Sequence, residues 1–308
     1  MKKIIVVAGP TASGKTPVAV ALAKQVDGEV ISADSMQIYE GMDIGTAKPT
    51  QAERENIPHH MIDIIKPDEA YSAALYQQQA RAVINDIYAS GRIPILCGGT
   101  GFYINAVLND INFVSSPDDE KLRDYFTDMA TSHGPEYLYA QLHEQDPKAA
   151  AAIHPNNTKR VIRALSYISA TKQLFSKHNE IQKKQPQIYE AVFFCLHMDR
   201  PTLYQRINDR VLTMFDTGLA DEVAGLLHKG YHPSLVSMQG IGYKETIDFL
   251  QGKSTKAEAI AIIQQNSRHY AKRQMTWFRH QNQEAVMISS QDRPPAETAL
   301  EIAKQLQI

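Results

Sequence analysis

Eight consecutive residues, Gly9, Pro10, Thr11, Ala12, Ser13, Gly14, Lys15 and Thr16, follow the pattern G-x-x-x-x-G-K-[ST]. The spacing suits a di- or triphosphate. Glycines let the backbone wrap, loop amides converge on phosphate oxygens, Lys15 neutralises them, and the Thr16 hydroxyl can hold Mg²⁺. Such a cradle needs a strand that delivers the loop and a helix that adds its positive N-terminal end. Both are written in the sequence, as IIVVA before the loop and VAVALAKQV after it. A chance match in a chain of ordinary composition arises about once in a hundred chains, and the strand-to-helix context lowers that further.

Three further groups could act with the cradle. A second strand-like run, EVISAD, ends at Asp34. Ligands of open α/β sheets lie beyond the carboxyl ends of the strands, so Asp34 is expected on the rim of the phosphate loop, with Ser35 and Gln37 nearby. The same residue could equally close an Asx turn or cap a helix. The run Gly98-Gly99-Thr100-Gly101 follows another strand pattern and is either a plain turn or a second rim loop that presents Thr100. Arg206 and Arg210 stand four apart in a helical pattern, so one face carries both. They could clamp a departing diphosphate or form a solvated charged stripe with Asp209.

The elements that must position these groups alternate. KIIVVAG, EVISAD, HHMIDII and IPILCGG read as strands, with helices from Lys15, across Ala73 to Ala89 and from Gly101 between and after them. That alternation predicts parallel βαβ units. From about Ser115 to Pro186 strand patterns vanish, and helical patterns interrupted by Asp146-Pro147 and His154-Pro155 replace them. A strand, AVFFCLHM, then returns, followed by helices through Leu203–Phe215, Ala220–His228 and Lys256–Gln281, a short strand AVMISS and a last helix. The expected fold is α/β, a P-loop NTPase-like parallel sheet core flanked by helices, spanning residues 1–115 and 189–308, with a helical insertion domain at 116–188.

The chain has 308 residues, 43% of them hydrophobic, with 32 Lys and Arg against 34 Asp and Glu. A global positive field is excluded, so any polyanion site must be local. Two local patches qualify. In the insertion, Asp118 to Asp146 holds eight acidic and two basic residues, whereas Lys148 to Lys184 holds eight basic and one acidic; Lys159, Arg160 and Arg163 recur there at helical spacing. Near the C-terminus, SRHYAKRQMTWFRH carries Arg268, Lys272, Arg273 and Arg279 among Tyr270, Trp277 and Phe278. This mixture suits phosphate contact with base or ribose packing. A helix that buries its aromatics and exposes its basic groups would look the same. Cys97 and Cys195 sit in apolar runs and lack metal-ligand spacing, as expected of core residues in a reducing compartment. The apolar run of MKKIIVVAGP is too short for a signal sequence, and no stretch approaches the roughly 20 apolar residues of a membrane span. A cytoplasmic protein is expected.

Together, GPTASGKT, ISADSMQIYEGMDIGTAKP, PILCGGTGFY, LYQRINDRV, QGIGYKE and AKRQMTWFR, spread from residue 9 to 279, resemble the tRNA dimethylallyltransferase (isopentenyl transferase) family. The resemblance implies dimethylallyl diphosphate as donor and, as acceptor, the exocyclic amine of the adenosine on the 3′ side of the tRNA anticodon. It implies Asp34 as general base, Lys15 and Thr16 as the diphosphate and Mg²⁺ site, and a diphosphate-binding arginine at Arg206 or Arg210. Asp34, Ser35, Met36 and Gln37 match the segment that touches the target nucleotide, and Thr100 matches another tRNA contact. Lys159, Arg160, Val161, Ile162 and Arg163 match a further tRNA-contacting segment. A monomeric enzyme that works on the anticodon stem-loop, away from membranes, is expected. A small-molecule kinase and a nucleotide-controlled RNA-binding switch would use the same cradle, and a free adenylate could replace tRNA as acceptor.

Overall fold

The computed structural model describes residues 2–113, 119–183, 185–282 and 284–306. Strand and helix alternate through the first part of the chain. They run β1 (Lys3–Ala8), α1 (Lys15–Val26), β2 (Gly28–Ala33), α2 (Gln51–Arg54), β3 (His59–His60), α3 (Ala73–Ala89), β4 (Ile93–Gly98) and α4 (Gly101–Leu108). Among the described residues, helices only follow: α5 (Asp119–His133), α6 (Pro135–Gln145), α7 (Pro147–Ala151), α8 (Thr158–Thr171) and α9 (Phe175–Lys183). The chain then resumes with β5 (Glu190–His197), α10 (Arg200–Asp216), α11 (Leu219–His228), α12 (Tyr243–Leu250), α13 (Lys256–Gln281), β6 (Val286–Ser289) and α14 (Pro295–Gln305).

The six strands form one all-parallel sheet in the order β3-β2-β4-β1-β5-β6. Side chains alternate across it, as the strand repeat of two requires. Ile4, Val6 and Ala8 of β1 face one layer, with Tyr76, Ile84 and Ile87 of α3 and Phe278 of α13. Ile5 and Val7 face the other, with Val18 and Leu22 of α1 and Ile302 of α14. Burial on both faces is why these strands read as continuous apolar runs. A third core cluster joins Ile38 and Met42, after β2, to Val211 and Phe215 of α10 and Ile263 of α13.

Two departures from the sequence reading are instructive. The run HHMIDII forms a strand only at His59 and His60, because Met61 (φ 61°) and Asp63 (φ 54°) turn into the left-handed region. An extended strand cannot pass through that conformation. The chain divides into units at 1–108 plus 187–308 and at 109–186, against boundaries expected at 115/116 and 188/189. The first of those expected boundaries lies outside the described residues.

The second unit has its own core, in which Leu138 and Leu142 of α6 meet Val161, Ala164 and Leu165 of α8. Asp146 organises it locally by accepting the Ala149 N–H at 3.0 Å, which caps α7, and the Ser176 N–H at 2.8 Å. Burial alone would raise the Asp146 pKa, but these bonds hold it below the usual carboxylate range. Among the described residues no helix is long and apolar enough to cross a membrane.

Candidate active site

The loop between β1 and α1 closes on itself. Gly14 takes a left-handed conformation (φ 84°) at the helix start, a position where a side chain is costly. The first turn of α1 contains no acidic residue, so its free amides stay available to an anion. Lys15 folds back and donates from Nζ to the Pro10 carbonyl at 2.6 Å. Burial pulls its pKa down to about 8, with Arg210 pushing the same way and Asp34 opposing. A bound polyanion would push that pKa back up. The far side of the loop is braced by Ser290, beyond β6, whose hydroxyl donates to the Ser13 carbonyl at 3.0 Å.

The loop opens into a cavity of about 370 Å³, bordered by Lys15, Thr16, Asp34, Gln37, Arg210 and Tyr270 among others. Strand order explains the meeting. β2 and β1 flank β4, so the ends of all three strands reach one rim. Asp34 is both things its position allowed. Its Oδ1 accepts the Met36 N–H at 2.9 Å, which closes an Asx turn, and the carboxylate also borders the cavity. Burial raises its pKa, while the Met36 bond and the charges of Lys15 and Arg210 draw it back. A carboxylate in this setting accepts a proton more readily than a solvated one.

The acceptor-side residues are tied to one another. The Thr100 hydroxyl accepts the Ser35 N–H at 3.1 Å, which links the ends of β2 and β4. Gln37 accepts the Ser32 hydroxyl at 2.9 Å and donates to the Ala47 carbonyl at 3.2 Å, so its amide holds the 46–47 loop to the cavity wall. Met36 presses on Gly240, where an added Cβ would lie 2.5 Å from its Cε. Lys48, 8% exposed, donates to the Tyr39 carbonyl at 2.8 Å and pairs with Asp43 and Asp63. Glu222 of α11 accepts the amides of Asp43, Ile44 and Gly45 at 2.7–3.2 Å and the Tyr243 hydroxyl at 2.7 Å.

The two arginines of α10 separate. Asp199 caps this helix by accepting the Thr202 N–H at 2.8 Å, and Leu203, Ile207 and Val211 anchor its apolar face. Arg210 borders the cavity, and burial lowers its pKa. Arg206 is exposed, with its guanidinium 4.0 Å from Met198 Sδ. One turn of helix, about 5.4 Å, is enough to move it off the cavity wall.

The C-terminal basic segment lies on α13. Phe278 is buried in the core, and Trp277 stands edge-on to Phe102 at 6.5 Å. Lys272, Arg273 and Arg279 are exposed, and Lys272 and Arg273 border an open groove of about 500 Å³ along the helix. Arg268 is instead engaged with α10, donating to Asn208 Oδ1 at 2.6 Å and lying over the Tyr204 ring. In the second unit Lys159, Arg160 and Arg163 of α8 are exposed, whereas Val161 is fully buried and Ile162 packs against the same core. A helix cannot turn five consecutive side chains to one side.

Gln274, Ser290 and Glu222 escaped the sequence reading, and Tyr270 entered it only as one of the aromatics of the basic segment. Tyr270 borders the cavity, and burial raises its pKa to about 12. Only its place in a basic, aromatic segment hinted at a role. Nothing in the local pattern marks Glu222.

A glycine-rich G-x-x-x-x-G-K-T loop, a cavity arginine and a partly buried carboxylate on one rim of a parallel sheet define a P-loop-like α/β protein. The comparisons specify which. The family model described as IPP transferase matches residues 37–281. The tRNA dimethylallyltransferase of Macrococcus caseolyticus is 49% identical over 281 residues, 90% of this chain and 88% of that protein. The crystal structure of the full-length tRNA isopentenylpyrophosphate transferase from Bacillus halodurans superposes with a TM-score of 0.75 at 44% identity, covering 100% of this chain and 96% of that one. A eukaryotic dimethylallyltransferase acting on tRNA gives a TM-score of 0.79 at 29% identity, covering 95% and 75%. The chain belongs to the IPP transferase family.

Proposed function

We propose that this protein is a cytoplasmic, monomeric tRNA dimethylallyltransferase. It moves the dimethylallyl group of dimethylallyl diphosphate to the exocyclic N6 amine of the adenosine 3′-adjacent to the anticodon, and releases diphosphate. The observation that carries the reading is the shared cavity, which Lys15, Thr16, Arg210 and Asp34 all border; in this reading the first three serve the donor and Asp34 the acceptor. Family membership supports the same activity.

An allylic diphosphate ionises readily because its carbocation is delocalised, so the main task is to stabilise the leaving diphosphate. Lys15, the amides of the first turn of α1 and Arg210 do this by charge and hydrogen bonding in a confined site. The cavity lining fits a divalent cation at the diphosphate only through the Thr16 hydroxyl, which would share the ion with diphosphate oxygens and water. Mg²⁺ bound there would add charge neutralisation. The adenine amine is a poor nucleophile because its lone pair spreads into the ring. Asp34 orients it and takes a proton as the C–N bond forms. The adenine must leave its stack to reach the rim, at a cost of a few kcal/mol. Phosphate contacts from Lys159, Arg160 and Arg163 in the helical unit, and from Lys272, Arg273 and Arg279 on α13, offset that cost.

The test is to incubate the protein, Mg²⁺, labelled dimethylallyl diphosphate and unmodified tRNA, then digest the RNA. Labelled isopentenyladenosine from the anticodon loop is the expected product. Label that appears only with ATP present, or on no nucleoside, would refute the reading.

A further inference from the structure

α13 turns one face onto the rim. Tyr270, Gln274 and Phe278 follow one another at a spacing of four, with Trp277 beside them, and Gln274 is only 6% exposed. Its Oε1 accepts the Thr11 N–H at 2.8 Å, and its Nε2 donates to the Gly99 carbonyl at 3.0 Å. One partner can only donate and the other only accept, so the network fixes which way the amide points. An added Cβ at Gly99 would lie 2.2 Å from Nε2, so the approach requires glycine there. Tyr270, one turn earlier, lines the same cavity as Gln274.

The two loops joined by this amide belong to different half-sites. Thr11 lies in the phosphate loop. Gly99 directly precedes Thr100, whose hydroxyl holds Ser35 next to Asp34. Each loop is anchored on its own strand, β1 or β4, and the Gln274 side chain ties their tips across the edge of the cavity. The tie comes from a residue 263 positions away from Thr11 and 175 from Gly99.

We propose that Gln274 is a positioning residue that sets the separation between the loop cradling the leaving diphosphate and the loop orienting the acceptor amine. The proposal rests on the prenyl-transfer reading. Transfer needs the allylic carbon and the adenine nitrogen within about 3–3.5 Å, and a misplacement of about 1 Å can cost a hundredfold. The C–O electron pair leaves with diphosphate. The cation then accepts the lone pair of the amine, whose proton passes to Asp34. When the amine is out of reach, water donates the pair instead and loses a proton, so the products are dimethylallyl alcohol and diphosphate. The ratio of alcohol to prenylated adenosine therefore reports alignment, and it does not depend on how much of the protein is folded.

The experiment compares the parent with Gln274→Met, which keeps length and volume without the bonds, and with Gly99→Ala, which pushes the same amide aside while leaving Gln274 in place. The full-length protein is given Mg²⁺, labelled dimethylallyl diphosphate and unmodified tRNA, and both labelled products are counted. Both variants are expected to raise the alcohol-to-adenosine ratio by about tenfold or more, with half-saturating concentrations of donor and tRNA each within about threefold of the parent. An unchanged ratio, with turnover falling only as far as the folded fraction, would overturn the proposal. A rise confined to the half-saturating donor concentration would overturn it too, since Gln274 would then serve the cradle alone. A parent protein that releases diphosphate from dimethylallyl diphosphate in neither form would refute the prenyl-transfer reading itself, and this role with it.

Discussion

Asp34→Asn separates chemistry from architecture. The Asp34 Oδ1 accepts the Met36 N–H at 2.9 Å, and the asparagine carbonyl can accept the same bond, so the turn survives at a cost of a few tenths of a kcal/mol. Asparagine cannot take a proton at neutral pH. Loss of a positioned base lowers turnover by about 10²- to 10⁴-fold, which corresponds to roughly 3–5 kcal/mol on the barrier. The substitution also removes the negative charge that supports Lys15, so the Lys15 pKa should fall further below about 8. Donor affinity is therefore compared at pH 7, where the parent lysine is mostly charged. The assay is single-turnover prenyl transfer with saturating tRNA and donor, beside a thermal melt. The base acts deprotonated, so the parent rate should fall as pH drops through an Asp34 pKa held above the usual carboxylate value. The variant should lack that limb. A variant that melts like the parent and transfers within about threefold of its rate would refute the base assignment, leaving orientation by Ser35, Gln37 and Thr100 as the remaining account.

Lys15→Met should weaken donor binding and reaction together while raising thermal stability near pH 7. Lys15 titrates at about 8 in the fold against an ordinary 10.5, so its charged form is penalised when folded, and the parent should gain stability as pH rises through that window whereas the variant should not; a melting series against pH checks the sign. Arg210→Ala should lower turnover by about tenfold or more through lost charge at the diphosphate, whereas Arg206→Ala should stay within about threefold. Equal losses in steady-state assays would contradict the division between cavity wall and exposed face. Reversing Lys159, Arg160 and Arg163 to Glu should raise the tRNA concentration required and make its log–log salt slope shallower by about two to three, since each lost phosphate contact releases about 0.7–0.9 fewer counterions. Donor affinity measured in the absence of tRNA should not change, and a fall in it would place the patch at the donor site.

The phosphate cradle was legible because every part of it is local. Strand, glycine turn, lysine and helix occupy residues 3–26, and backbone sterics with a single periodicity dictate their order. The parallel sheet was legible for the same reason, in runs buried on both faces. The strand expected across HHMIDII failed because apolar content there serves a loop that packs Met61 and Ile65 inward with left-handed turns between them. Composition does not distinguish that from an extended run.

The sequence by itself determined the place of the glycine-lysine loop between a strand and a helix, the alternation of elements and the interruption by a helical unit, since these depend on contacts a few residues apart. Only the tertiary structure decided which arginine reaches the cavity, that Val161 faces a core, and that Gln274, Ser290 and Glu222 brace the rim. Val161 is turned inward by the packing of α8 against α6 within the helical unit, whereas the rim contacts depend on the strand order β3-β2-β4-β1-β5-β6, which brings residues as much as 277 positions apart within hydrogen-bonding distance. Parallel strands joined by crossover helices satisfy the same local pattern in several orders. The long-range partners of the glutamine and the serine follow from the order this sheet adopts.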